Sequence, residues 1–173
     1  GSDPVVVAFP DDLFTGGNCS AELIAEHEAT GCSVLSAVDH TGQDVSRYGV
    51  LEPVARDDGR IGVRRIVEKP APGQEPSHLV SLGRYLYTPE IFALLERGLS
   101  AHGGGEYYPS DAINTLGARG GVVASVGRAK RWDTGQPLEY LQTVIELALE
   151  HPEIGEAFGR WLGERFGDRD AVK

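Results

Sequence analysis

Cysteine is nearly absent from this chain. Only Cys19 and Cys32 occur in 173 residues, and neither shares a spacing with a histidine or cysteine cluster. A disulfide framework and a zinc site are therefore not indicated, and the pattern fits a reducing, cytoplasmic setting. Basic residues are also scarce, with 16 Lys and Arg against 26 Asp and Glu and a formal net charge of −10. Nucleic-acid backbones are bound by concentrated cations, so this balance argues against a nucleic-acid surface. A few converging cations would still serve a small anionic substrate. No run of about twenty apolar residues is present, and Gly1 to Pro10 lacks the basic start and long apolar core of a signal segment. Neither a membrane span nor export is expected. His27, His40, His78, His102 and His151 include no pair at metal-ligand spacing, and Gly103-Gly104-Gly105 lacks the flanking strand and GK[ST] ending of a phosphate loop.

What is present is enough apolar material for a core. A 40% hydrophobic content over this length predicts one globular domain spanning residues 1–173, with no internal repeat. The run from Pro4 to Phe9 reads as a strand buried on both faces of a parallel sheet. Cys19 to Thr30 reads as an amphipathic helix stopped by Gly31, and Ser33 to Val38 as a second buried strand. Strand, helix, strand is the grammar of an α/β fold, in which ligands gather at the carboxyl ends of strands.

Further along, Tyr48 to Ala55, Ile61 to Val67 and Leu79 to Tyr87 read as strands of an antiparallel insertion covering the sheet. Thr88-Pro89-Glu90 marks a helix start with Thr88 as its N-cap. A helix from about Ser110 to Leu116, a strand at Val122 to Val126, and helices at Pro137 to Glu150 and Pro152 to Phe166 complete the chain.

Three constellations could carry chemistry. Asp11 follows the first strand and Asp133 lies in Lys130-Arg131-Trp132-Asp133-Thr134-Gly135. Magnesium takes hard oxygen ligands and is often held by one or two carboxylates plus substrate phosphates. The alternative is that Asp11 or Asp12 caps a turn and Asp133 caps the helix near Pro137. In Val67-Glu68-Lys69-Pro70, alternation sends Glu68 and Lys69 to opposite faces of an ideal strand, so both reach one ligand only if the strand ends and the chain turns there. A solvated surface pair is the alternative. In Ser46-Arg47-Tyr48-Gly49, the glycine would admit a ligand close to the backbone, or simply form a strand-entry bend.

In this order the segments resemble the bacterial UTP-glucose-1-phosphate uridylyltransferase family. The matching pieces are Phe9-Pro10-Asp11-Asp12-Leu13, Val45-Ser46-Arg47-Tyr48-Gly49-Val50, Ile66-Val67-Glu68-Lys69-Pro70, Leu82-Gly83-Arg84-Tyr85, Gly104-Gly105-Glu106 with Asp111-Ala112-Ile113, and Lys130 to Gly135. The likeness runs nearly the whole length of the chain. It implies a three-layer, Rossmann-like nucleotidyltransferase fold with a mixed sheet. It also implies that Asp11 and Asp133 hold Mg2+, Glu68 binds glucose hydroxyls, Lys69 meets the sugar phosphate, Gly49 offers its backbone to the sugar, and Lys130 adds charge near the phosphates. The family forms UDP-glucose and pyrophosphate from UTP and glucose-1-phosphate.

The sequence departs from the family in two places. The family's first strand with its Gly-rich, Arg- and Lys-bearing nucleotide loop has no counterpart, so the chain resembles the C-terminal part of the catalytic domain. Negligible turnover of the isolated chain, an exposed sheet edge and a homo-oligomer are the corresponding expectations. Second, Glu106-Tyr107-Tyr108-Pro109-Ser110-Asp111 stands where the family has Glu-Ile-Gln-Leu-Thr-Asp. This leaves open a divergent paralogue with altered sugar or nucleotide preference; the missing base-reading segment leaves open a related enzyme using dTTP or CTP, and the truncation a noncatalytic module that binds sugar phosphates or forms oligomers.

Overall fold

The computed structural model describes residues 1–167. They fall into two compact units, Gly1–Lys130 and a second from Arg131 onward.

In the first unit, β1 (Val5–Ala8), β3 (Ser33–Asp39), β4 (Gly49–Ala55), β5 (Ile61–Glu68), β6 (Leu79–Tyr87) and β7 (Val122–Val126) form one six-stranded sheet. Its order is β1-β6-β3-β7-β5-β4, with a further β4–β6 bridge at Val50 and Val80. The sheet is mixed: β3 and β7 run parallel, while β6 is antiparallel to both β1 and β3. A short β2 (Asp12–Thr15) follows β1, and β8 (Lys130–Asp133) follows β7.

Two sequence expectations are corrected here. Strand β1 is not buried on both faces of a parallel sheet. It pairs on one side with β6, antiparallel, at the sheet's edge, and Val6 and Phe9 are exposed at 41% and 45%. A Val-rich run serves a half-buried edge as well as an interior strand, so composition alone could not separate the two. Nor do β4, β5 and β6 form an insertion covering the sheet. They are members of it, and β6 lies between β1 and β3.

The alternation of side chains divides the core into two layers. Leu35, Ala37, Tyr87, Val122 and Ala124 face one way and pack with Ile91 and Leu94 of α2 (Glu90–Ala101) and Ile113 and Leu116 of α3 (Ser110–Gly117). Val34, Leu86 and Val123, each one residue out of phase, face the other way and pack with Leu23 of α1 (Cys19–Thr30). Helices on both faces of a mixed sheet make the three-layer α/β arrangement. Helix α1 starts where the Asn18 side chain accepts from the Ala21 N–H at 3.0 Å and stops at Gly31, whose φ of 68° is the left-handed cap predicted.

The N-cap of α2 is Pro89, not Thr88, and no side chain caps it. Thr88 is drawn instead to β3, where its N–H donates to Ser33 Oγ at 3.0 Å and the two hydroxyls lie 3.1 Å apart. A tertiary hydrogen bond has replaced the local cap.

The second unit contains α4 (Pro137–Glu150) and α5 (Gly155–Phe166), which pack on each other. A Cβ at Gly155 would collide with the Leu149 carbonyl, so the close turn between them requires glycine. Among the described residues no helix is long and apolar enough to cross a membrane.

Candidate functional site

Strands β4 and β5 pair in antiparallel register with Gly49 opposite Glu68. The Glu68 carboxylate folds back over Gly49: a Cβ there would sit 3.2 Å from Oε2, 3.4 Å from Oε1 and 3.0 Å from Ile66 Cγ2. The missing side chain at residue 49 thus makes room for the Glu68 carboxylate to lie against the strand. Strand β5 ends at Glu68, and Lys69 adopts φ 45°, the one positive φ outside glycine among the described residues. That left-handed step is held by the Lys69 N–H donating to the Tyr48 carbonyl at 3.0 Å. It breaks the alternation that would otherwise separate Glu68 from Lys69. The condition for both residues to serve one ligand, a strand that ends and turns at this point, is met.

Helix α3 fixes this strand end. Asn114 brackets the Ile66 backbone, accepting from its N–H at 2.6 Å and donating to its carbonyl at 3.1 Å. One helical turn earlier, the buried Ser110 stands beside Glu68 and favours the charged form of its carboxylate. Two turns after Ser110, Gly117 lies so close to the Val63 and Arg64 carbonyls that any Cβ would collide with them. Ser110, Asn114 and Gly117 are spaced i, i+4, i+7 and so share one helical stripe, which runs antiparallel to β5. Sequence reasoning missed this stripe. A polar and small-residue line on a helix whose neighbouring positions are Ala112, Ile113 and Leu116 was the available signal.

The electrostatics suit a binding carboxylate. Desolvation among these neighbours pushes the Glu68 carboxyl above the usual range, the Ser110 hydrogen bond and Lys69 pull it back, and Glu106 pushes it up again. Lys69 Nζ lies over the Tyr108 ring, 5.9 Å from its centroid. The Tyr108 hydroxyl donates to Glu106 Oε2 at 2.6 Å.

The remaining sequence candidates have local settings of their own. Asp11 is exposed in the turn between β1 and β2. Its neighbour Asp12 is the turn-holding residue: it is 5% exposed and accepts from the Gly83 N–H at 2.6 Å. Lys130 is exposed at the start of β8. Asp133 accepts from the Gly135 N–H at 2.9 Å and from Arg131 Nη2 at 3.2 Å. It does not cap α4, whose N-cap is Gln136.

Residues 1–149 match the family model described as nucleotidyl transferase. The chain belongs to the nucleotidyl transferase family. This nucleotidyl transferase chain is 38% identical over 168 residues to UTP-glucose-1-phosphate uridylyltransferase 1 of Streptococcus pyogenes serotype M1, covering 94% of the chain and 55% of that protein. It is 36% identical over 157 residues to UTP-glucose-1-phosphate uridylyltransferase of Staphylococcus epidermidis, covering 90% and 54%. A solved structure described as a UTP-bound UGPase from Acinetobacter baumannii superposes with a TM-score of 0.82 at 28% identity, over 95% of this chain and 57% of that one. The fold is therefore that of the nucleotidyltransferases, and the chain spans about half the length of the curated relatives it matches.

Proposed function

We propose that this chain supplies the sugar-phosphate side of a UTP-glucose-1-phosphate uridylyltransferase, and that residues 1–173 are the C-terminal part of its catalytic domain. The observation that carries the reading is the left-handed Lys69 directly after Glu68, with Glu68 opposite Gly49, which brings a hydroxyl acceptor and a phosphate cation together at one strand end. Glu68 would accept from glucose hydroxyls, and Lys69 would meet the 1-phosphate as a compact charge. In the reaction a glucose-1-phosphate oxygen attacks the α-phosphorus of UTP, forming UDP-glucose and releasing pyrophosphate. Such chemistry asks the protein for positioning and for neutralisation of developing charge, and Lys69 and Lys130 are the cations assigned to it.

Magnesium belongs to the same proposal, with Asp11 and Asp133 as its carboxylates. Among the described residues no group of three or more His, Cys, Asp or Glu could hold a metal. An all-protein cage is thus not offered, and a metal held by one or two carboxylates, waters and substrate phosphates is what the donor set suits. The exposed Asp11 fits that role, while Asp133 is shared with Arg131. When bound, the ion would neutralise phosphate charge. A cytoplasmic location and a homo-oligomer complete the reading; the oligomer is supported by the exposed β1 edge with Val6 and Phe9.

Calorimetry of the chain with glucose-1-phosphate and Mg2+, repeated with Glu68→Ala and Lys69→Ala, tests the assignment. Binding by the parent chain and loss in both variants is expected.

A further inference from the structure

The loop between α2 and α3 carries two adjacent tyrosines with opposite duties. Tyr107 turns toward α2: its ring packs edge-on against His102 at 5.5 Å, and its hydroxyl fills the space above Gly98, where any Cβ would collide with it. That hydroxyl is buried and has no hydrogen-bond partner, so its contribution is packing, and it anchors the loop. Tyr108 is then turned toward β5. Its ring lies under the Lys69 ammonium, and its hydroxyl is tied to Glu106. Pro109 and the buried Ser110 follow directly, at the start of α3. The tyrosine loop and the sugar-phosphate pair are therefore joined at Lys69.

Resting on the function proposed above, we infer that Tyr108 is a positioning residue of this site, one that holds the Lys69 ammonium over its ring so that the cation is already placed when a sugar 1-phosphate arrives. Lysine has four rotatable side-chain bonds, and an exposed ammonium samples many positions; a ring face beneath it removes part of that freedom before binding. An aromatic ring is a far weaker hydrogen-bond acceptor than a phosphate, so the ring holds the ammonium while leaving its N–H donors to the anion. The Glu106 carboxylate raises the Tyr108 hydroxyl above its ordinary pKa. The ring therefore stays neutral, and the hydroxyl's link to Glu106 fixes the ring's orientation. Glu106 is in turn engaged with Tyr108 rather than standing as a free carboxylate facing the phosphate.

Two readouts test this on the full chain, using Tyr108→Leu and Tyr108→Phe, with Tyr108→Gln as a second ring-less variant should the leucine protein fail to fold. The first is the NMR shift of the Lys69 ε-methylene, assigned with Lys69→Arg, which needs no ligand. Ring-current displacement of that signal in the parent and in Tyr108→Phe, lost in Tyr108→Leu and Tyr108→Gln, is expected. The second is affinity for glucose-1-phosphate, expected to fall about three- to tenfold in the ring-less variants, the scale of a cation–π contact, and by less than about twofold in Tyr108→Phe, which keeps the ring. An ε-methylene signal that does not move on removing the ring, or an equal affinity loss in the Phe and ring-less variants, would overturn the inference. Absence of glucose-1-phosphate binding by the parent chain would instead overturn the proposed function, while the ligand-free shift still decides whether Tyr108 holds Lys69.

Discussion

The Glu68 carboxylate lies across the space that a side chain on Gly49 would occupy, with Oε2 3.2 Å from the position of the missing Cβ. Glycine at 49 is thus a condition for the carboxylate's placement. Gly49→Ala is expected to fold, because residue 49 does not have positive φ and its Cβ would press only on side-chain atoms that can give. It should nevertheless displace Glu68 and weaken glucose-1-phosphate binding at least about tenfold, the equivalent of roughly 1.4 kcal/mol. Calorimetry beside a thermal melt separates the two effects.

Glu68 should also carry a stability cost, a small one because the residue is exposed and solvent screens it. Its folded-state pKa is raised, mainly by desolvation, so the native state binds the proton more tightly than the unfolded chain does. Stability is therefore fully present below the unfolded carboxylate pKa and declines as pH rises through the folded one. Glu68→Gln removes that dependence. The variant should melt higher than the parent at pH 7, the gap should close on acidification below the ordinary glutamate pKa of about 4.3, and sugar-phosphate binding should be lost. Melting curves across that pH range check the sign.

Lys69 separates charge from backbone geometry. At φ 45° a β-carbon is strained, by roughly 1 kcal/mol relative to glycine. Lys69→Gly should hold or raise urea stability by up to about 1 kcal/mol while losing phosphate affinity. Lys69→Ala should lose the affinity without the stability gain. If the two variants are equally stable, the left-handed step is not a source of strain.

The two neighbouring aspartates should part company. Asp12→Ala leaves the buried Gly83 N–H without its acceptor and is expected to cost about 1–3 kcal/mol in urea unfolding. Asp11→Asn should leave stability within about 0.5 kcal/mol, as for an exposed site, and should abolish the line broadening that added Mn2+ causes in NMR spectra near the β1–β2 turn. Broadening that persists in Asp11→Asn would remove that residue from the metal assignment.

Asn114 offers a test of the site's frame. Asn114→Ala frees both the N–H and the carbonyl of Ile66, and a loss of about 1–3 kcal/mol is expected. Because Ile66 stands two residues before Glu68, sugar-phosphate affinity should fall as well. Asn114→Asp keeps the acceptor for the Ile66 N–H and should recover part of the stability.

Local signals were read from the sequence where the chemistry is local. Gly31 after a helical run, the β-branched strands and Pro137 at a helix start each act within a few residues, and the helix Cys19–Thr30 and strand Leu79–Tyr87 have the predicted bounds. Partners distant in sequence were not legible. Thr88 looks like a cap until Ser33, 55 residues away, engages its hydroxyl. Strand pairing hid in the same way: nothing in Val5 to Ala8 says that its neighbour is β6. For the site, Glu68-Lys69-Pro70 announced an acid and a base, but not the left-handed turn that unites them, which depends on the Tyr48 carbonyl. Ser110 and Asn114 were passed over because a helix stripe acquires meaning only beside the strand it grips.

The most direct test of the central claim is calorimetric titration of the chain with glucose-1-phosphate, beside Glu68→Ala and Lys69→Ala variants shown by circular dichroism to be folded. The account predicts saturable binding by the parent chain and at least about tenfold weaker binding by each variant, roughly 1.4 kcal/mol. Equal affinity in all three proteins, or no binding by the parent, would contradict it.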